Sequence, residues 1–166
     1  MGVPRHLAQR PAHGYDVALR LAPSGDVGRV WSLSRSLTYR ALDQLEQRGL
    51  ITAAGVERGK AGGSRTIFKL TRSGRARLRH WLAVPVRHLR DVRGELLLKL
   101  VLCDLASVPP RPLLEAQRST FAPTVTALAA AGGPRRRSSD PVDAWRSESS
   151  RAVLRFLDRM LADTAG

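Results

Sequence analysis

Acidic side chains are scarce in this sequence: 14 aspartates and glutamates face 28 lysines and arginines across 166 residues, a formal charge of +14. That imbalance exceeds what solubility needs and points to a polyanionic partner. Lysine is scarce too, at three residues (Lys60, Lys69, Lys99); a coding bias toward arginine accounts for that preference but not for the missing acids. The lone cysteine, Cys103, excludes an internal disulfide framework and fits a reducing cytoplasm. Within the apolar run LLLKLVLC it is expected to pack as a buried, inert thiol. Apolar runs stay short of the roughly 18 residues of a membrane span and the N-terminus has no signal-peptide core, so a cytoplasmic protein without a membrane partner is expected. Aromatics make up 5% of the chain, too few for a sheet that stacks single-stranded bases. His6, His13, His80 and His88 stand at no metal-ligand spacing, so neither a metal site nor a cofactor is expected. GxSxG, P-loop and GxGxxG motifs are missing, and Asp91 and Glu95 sit among Arg90, Arg93 and Lys99 as salt-bridge partners rather than an acid–base pair, so the chain does not read as an enzyme.

What is present is periodic. With 43% hydrophobic residues the chain can build a core, and the charge excess is uneven: residues 1–85 carry 15 basic and 5 acidic side chains, residues 86–166 carry 13 and 9. HGYDVALRL (13–21) has a rough helical pattern ended by Pro23-Ser-Gly. A short extended piece at Arg29–Trp31 then leads to SRSLTYRALDQLEQRGLI (34–51). Leu37, Ala41, Leu42 and Leu45 follow one helical face there, Ser32 or Ser34 caps it, and Gly49 stops it as a left-handed residue. LITAAGVE (50–57) and RTIFKL (65–70) read as strands, with Ile67 and Leu70 inward, joined by the basic, glycine-rich RGKAGGSR. Thr71 caps a helix with the ridge Leu78, Trp81, Leu82, ended by Pro85. RDVRGELLLKLVLCDLA is a strong helix with a Glu95–Lys99 pair, and a further helix covers 113–131. After the linker AGGPRRRSSDP, Asp140 and Pro141 start a last helix whose Val142, Trp145, Ser149, Ala152, Phe156 and Met160 approach a coiled-coil seam.

The fold class expected is mainly α with a small β-hairpin: a winged helix-turn-helix domain at 1–85 and an all-helical C-terminal dimerisation domain at 86–166. Helix, turn, helix and basic hairpin is the order in which a second helix enters the major groove. This resolves an electrostatic oddity, because Arg35 and Arg40 crowd a helix start where the dipole favours anions, and phosphates or guanine edges would meet them. Ser34, Arg35, Ser36, Thr38, Tyr39 and Arg40 are therefore expected to face DNA, with Arg35 and Tyr39 reading sequence. Arg58, Lys60 and Arg65 on the wing are expected to touch backbone or minor groove. Trp81, Phe121 and Trp145 are candidates for an apolar effector pocket, since aromatic walls suit flat ligands.

HGYDVALRL, SLTYRALDQLEQRGLI and the hairpin GKAGGSR running into KLTRSGRARLRHWL together resemble the PadR family of transcriptional regulators. RHLRDVRGELLLKLVL followed by LLEAQRSTF is similar to the longer C-terminal region of one PadR subgroup. The resemblance covers about residues 8–160, most specifically through Tyr39, Leu42, Leu45-Glu46 and Gly49-Leu50 and through DVRGELLLKL. It implies a homodimeric winged-helix DNA-binding repressor, often released from its operator by a small molecule; two-fold symmetry implies an inverted-repeat operator in double-stranded DNA, and the aromatic candidates a small aromatic or apolar effector. One departure stands out: only VPRHLAQR (3–10), broken by Pro4, precedes His13-Gly-Tyr where the family has a full apolar helix, as expected of a truncated or vestigial first helix. The alternatives are a general basic nucleic-acid binder and a winged-helix interaction module that has lost DNA binding.

Overall fold

Caps and close-packed glycines set the element boundaries. The computed structural model describes residues 11–58, 64–131 and 140–164. Two extended residues, β1 (Ala12–His13), turn directly into α1 (Gly14–Leu21). The stretch 22–34 is a run of tight turns: Arg29 N–H bonds to Gly25 O at 3.1 Å and Trp31 N–H to Val27 O at 3.1 Å. The piece expected to be extended at Arg29–Trp31 is therefore coiled, because Gly25 and Gly28 let the chain fold back onto the end of α1. A Cβ on Gly28 would lie 1.8 Å from Ala22 O.

Ser34 caps α2 (Arg35–Gln47), accepting from Leu37 N–H at 3.3 Å. Gly49 ends the helix at φ +66°, with Gly49 N–H on Glu46 O and Leu50 N–H on Leu45 O, the paired bonds of a left-handed C-terminal cap. β2 (Ile51–Arg58) and β3 (Ser64–Leu70) follow, as the sequence indicated. The sheet has a third member, since β1 pairs with β3 to give the antiparallel order β1-β3-β2. The register of β2 shifts between Ala53 and Gly55, and Ala53 N–H is taken by Glu46 Oε1 at 3.0 Å, tying the sheet to α2. Thr71 caps α3 (Arg72–Ala83) through Gly74 N–H at 3.0 Å, and its hydroxyl lies 2.7 Å from Gly49 O, so one residue fastens the start of α3 to the end of α2.

The helix expected across RDVRGELLLKLVLCDLA is not continuous. Leu89–Asp91 is a 3-10 turn, Val92–Leu96 a π-helical turn containing Gly94, and only α4 (Leu97–Leu105) is α-helical. α5 (Arg111–Ala131) and α6 (Pro141–Asp163) complete the chain. Asp140 caps α6 by accepting from Val142 N–H at 2.8 Å.

Two compact units result: the chain up to Leu82 with Leu97–Pro109, and Ala83–Leu96 with the chain from Pro110. The division expected between 85 and 86 follows chain order, whereas compactness returns α4 to the first unit. The core of that unit includes Ala18, Val27, Leu42, Ile51, Leu82, Cys103 and Leu105. Trp81 lies over the buried Lys99, with Nζ 4.9 Å from the ring centroid, so a cation–π contact holds the ammonium. In the second unit Leu113, Leu114, Phe121, Val125 and Leu157 are buried. Gln117 is fully buried and clips the Val86 backbone, accepting from its N–H at 2.7 Å and donating to its C=O at 2.9 Å. Among the described residues no helix is long and apolar enough to cross a membrane.

Candidate nucleic-acid interface

α2 exposes a polar, basic first half. Arg35, Ser36, Tyr39 and Arg40 are on its surface, and neither arginine has a carboxylate partner among the described residues. Ser34 Oγ serves as the helix cap and lies 3.1 Å from Ser36 Oγ, so both hydroxyls are held at the helix mouth.

Thr38 is a correction. Expected among the residues facing DNA, it is 1% exposed and its hydroxyl donates to Ser34 O at 3.0 Å. Leu37, expected to anchor the helix, is 50% exposed. The inward stripe is thus the buried Thr38 and Leu42 with the half-buried Ala41 and Leu45, one residue out of phase at its start. Both stripes satisfy helical spacing, and hydrophobicity favoured the wrong one because a threonine that bonds the carbonyl four residues back can be buried without an unpaired hydroxyl.

His13-Gly14-Tyr15 holds the interface together, a role its helical pattern did not reveal. His13 Nε2 lies 3.3 Å from Glu57 Oε2, linking β1 to β2 across β3. Gly14 is buried, and a Cβ there would meet Tyr39 Cε1 at 3.0 Å and Phe68 Cε2 at 3.4 Å. The Tyr39 ring therefore rests one edge on Gly14 while the residue stays 36% exposed, so it serves both the core edge and the surface. Arg35 and Arg65 each place their guanidinium carbon 5.3 Å from the Tyr15 ring centroid, and Arg35 lies 6.0 Å from that of Tyr39.

On the wing, Arg65 is exposed and stands directly opposite Glu57 in the ladder. Arg58 closes β2 opposite Ser64, and Lys60 lies outside the described residues. The effector candidates fall in different units: Trp81 covers Lys99 in the first, while in the second Phe121 is core and Trp145 is 71% exposed. Cys103 is buried, and burial pushes its thiol above the usual range, with Lys99 opposing that in part.

Residues 5–80 match the transcriptional regulator PadR-like family. A probable transcriptional regulator of Mycobacterium tuberculosis is 29% identical over 101 residues, covering 60% of this chain and 51% of that protein, so the chain matches only about half the length of this relative. Among solved structures, that of Bacillus subtilis PadR in complex with operator DNA is similar over 92% of both chains, at 20% identity and a TM-score of 0.45. The Vibrio cholerae virulence activator AphA is similar over 95% of this chain and 92% of its own, at 26% identity and a TM-score of 0.40.

Proposed function

We propose that this chain, whose residues 5–80 match the PadR-like transcriptional regulator family, is a sequence-specific DNA-binding regulator acting as a homodimeric repressor. α2 enters the major groove, where Ser36, Tyr39 and Arg40 meet base edges while Ser34 and Arg35 sit at its mouth. The hairpin, through Arg58, Lys60 and Arg65, holds backbone or minor groove. The observation that carries this reading is the pair Arg35 and Arg40, exposed at the start of α2 without carboxylate partners among the described residues. Cations are unfavourable at a helix N-terminus, and an incoming polyanion reverses the sign of that interaction.

Dimerisation is supported by α6. Its Ser150 and Leu157 are buried, whereas Val142 and Trp145 on the expected seam remain exposed. A two-fold dimer reads an inverted repeat with half-sites about one helical turn, roughly 10 bp, apart. Relief by a small aromatic or apolar effector accords with the family resemblance; of the aromatic candidates, Trp81 and Phe121 have packing roles already.

The test is a gel shift on DNA upstream of the chain's own gene, with bulk RNA as competitor. A shift that survives RNA and is lost on scrambled DNA is expected; Arg40→Ala narrows the gap between specific and random duplex, and Lys60→Ala weakens both equally. A shift indifferent to sequence would mark a general nucleic-acid binder, and no shift at low salt a protein-interaction module.

A further inference from the structure

Tyr15 belongs to no group of residues assigned above to DNA, yet it is where the recognition helix and the wing meet. The guanidinium carbons of Arg35, from the first turn of α2, and Arg65, from the start of β3, each lie 5.3 Å from the centroid of its ring. Two cations on one ring repel each other, and the ring quadrupole offsets only part of that repulsion at an exposed site. A carboxylate stands within reach by register: Glu57 is directly opposite Arg65. That carboxylate is turned instead to His13, at 3.3 Å, and neither arginine pairs with an acid among the described residues.

The backbone beside the ring is anchored. β1 fixes the backbone on one side, with Ala12 opposite Phe68 and His13 opposite Ile67. Gly14, packed so closely that a Cβ would meet Tyr39 at 3.0 Å, fixes it from below. Tyr15 thus stands on a fixed backbone and carries two guanidiniums that pair with no acid among the described residues.

We propose that Tyr15, Arg35 and Arg65 form a clamp for one DNA backbone phosphate, with Tyr15 as the positioning residue that presents both guanidiniums to it. This rests on the DNA-binding reading and deepens it. Arg35 becomes a backbone contact rather than a base reader, and a single phosphate sets the angle between recognition helix and wing. Phosphate is the fitting ligand because its oxygens accept from two guanidiniums at once and its charge cancels their repulsion.

The test uses the full chain, a duplex selected from a random-sequence pool and an unselected duplex, with Kd measured from 50 to 200 mM salt. Tyr15 is uncharged, so its removal changes the salt slope only by releasing the arginines. Tyr15→Ala is expected to weaken both duplexes about tenfold and to reduce the slope by about one, the value for one lost phosphate contact. Tyr15→Phe, which keeps the ring, stays within about twofold of the parent with the slope intact. An unchanged slope, or a loss confined to the selected duplex, overturns the clamp. Ethylation interference gives a second readout that does not depend on Tyr15→Ala folding. One ethylated phosphate that blocks the parent should cease to discriminate in both Arg35→Gln and Arg65→Gln; separate phosphates for the two variants overturn the proposal. A parent chain that binds neither duplex sinks the DNA-binding reading itself, whereas a parent that binds while the Tyr15 and arginine variants behave independently sinks only the clamp.

Discussion

The two compact units solve the same packing problem in opposite ways. The first closes its junctions at glycines: Gly14 under the Tyr39 ring, Gly28 against the Ala22 carbonyl, and Gly74 so close to the residue before β2 that a Cβ would lie 1.9 Å from Leu50 O. The second joins its elements by side chains, with Leu113, Leu114, Phe121 and Leu157 buried and the Gln117 amide clipping Val86. Glycine junctions leave little play, which suits the fixed relation of Arg35, Tyr15 and Arg65 that the proposed clamp requires. Side-chain junctions tolerate adjustment, which suits a helical region with an open face on α6.

The sharpest way to break this contrast is Gly74→Ala. The added methyl meets a carbonyl rather than a flexible side chain, so the loss should exceed about 3 kcal/mol in chemical denaturation; a loss below that of Gln117→Ala would contradict it. Gln117→Ala leaves the buried Val86 N–H and C=O unpaired and should cost about 2 kcal/mol, read from the denaturation midpoint. Thr38→Val removes a buried hydroxyl bond and should cost about 1 kcal/mol while leaving discrimination between DNA sites unchanged; altered discrimination would return Thr38 to the presented surface. Trp145→Ser should change the stability of the fold by less than about 0.5 kcal/mol, since the residue is 71% exposed, yet sedimentation should show weaker self-association. The smallest effect concerns Cys103. Its raised thiol keeps its proton in the folded chain above about pH 8, where an unfolded thiol begins to lose it. The stabilisation is thus complete below that pH and is lost as pH rises, so Cys103→Ala should flatten the alkaline fall in stability. A thiol reagent that labels the native chain as fast as the unfolded one would place Cys103 outside the core.

Most elements could be read from local chemistry. Ser34, Gly49, Thr71 and Asp140 act where expected because a cap needs only a nearby backbone group and a compatible φ. β2 and β3 were legible from alternation and the glycine-rich sequence between them. β1, two residues long, had no period to show, and the π turn at Val92–Leu96 interrupts an apolar pattern that by itself favours unbroken helix.

The interface divides in the same way. Arg35, Ser36, Tyr39 and Arg40 were legible because their spacing from the apolar stripe put them outside. Thr38 and Leu37 exchanged places because two stripes one residue apart both satisfy a period of 3.6, and only the neighbours of α2 choose between them. Tyr15, read as part of a helical pattern, was invisible as an interface residue: its partners lie 20 and 50 positions away in the chain. By itself the sequence determined the basic excess, the caps, the order of helices and strands and the family they resemble, since each depends on composition or on residues a few positions apart. Tertiary structure alone decided which side of α2 is buried, that Glu57 turns to His13 rather than Arg65, and that one tyrosine gathers two arginines, because contacts between distant segments depend on where the backbone brings them.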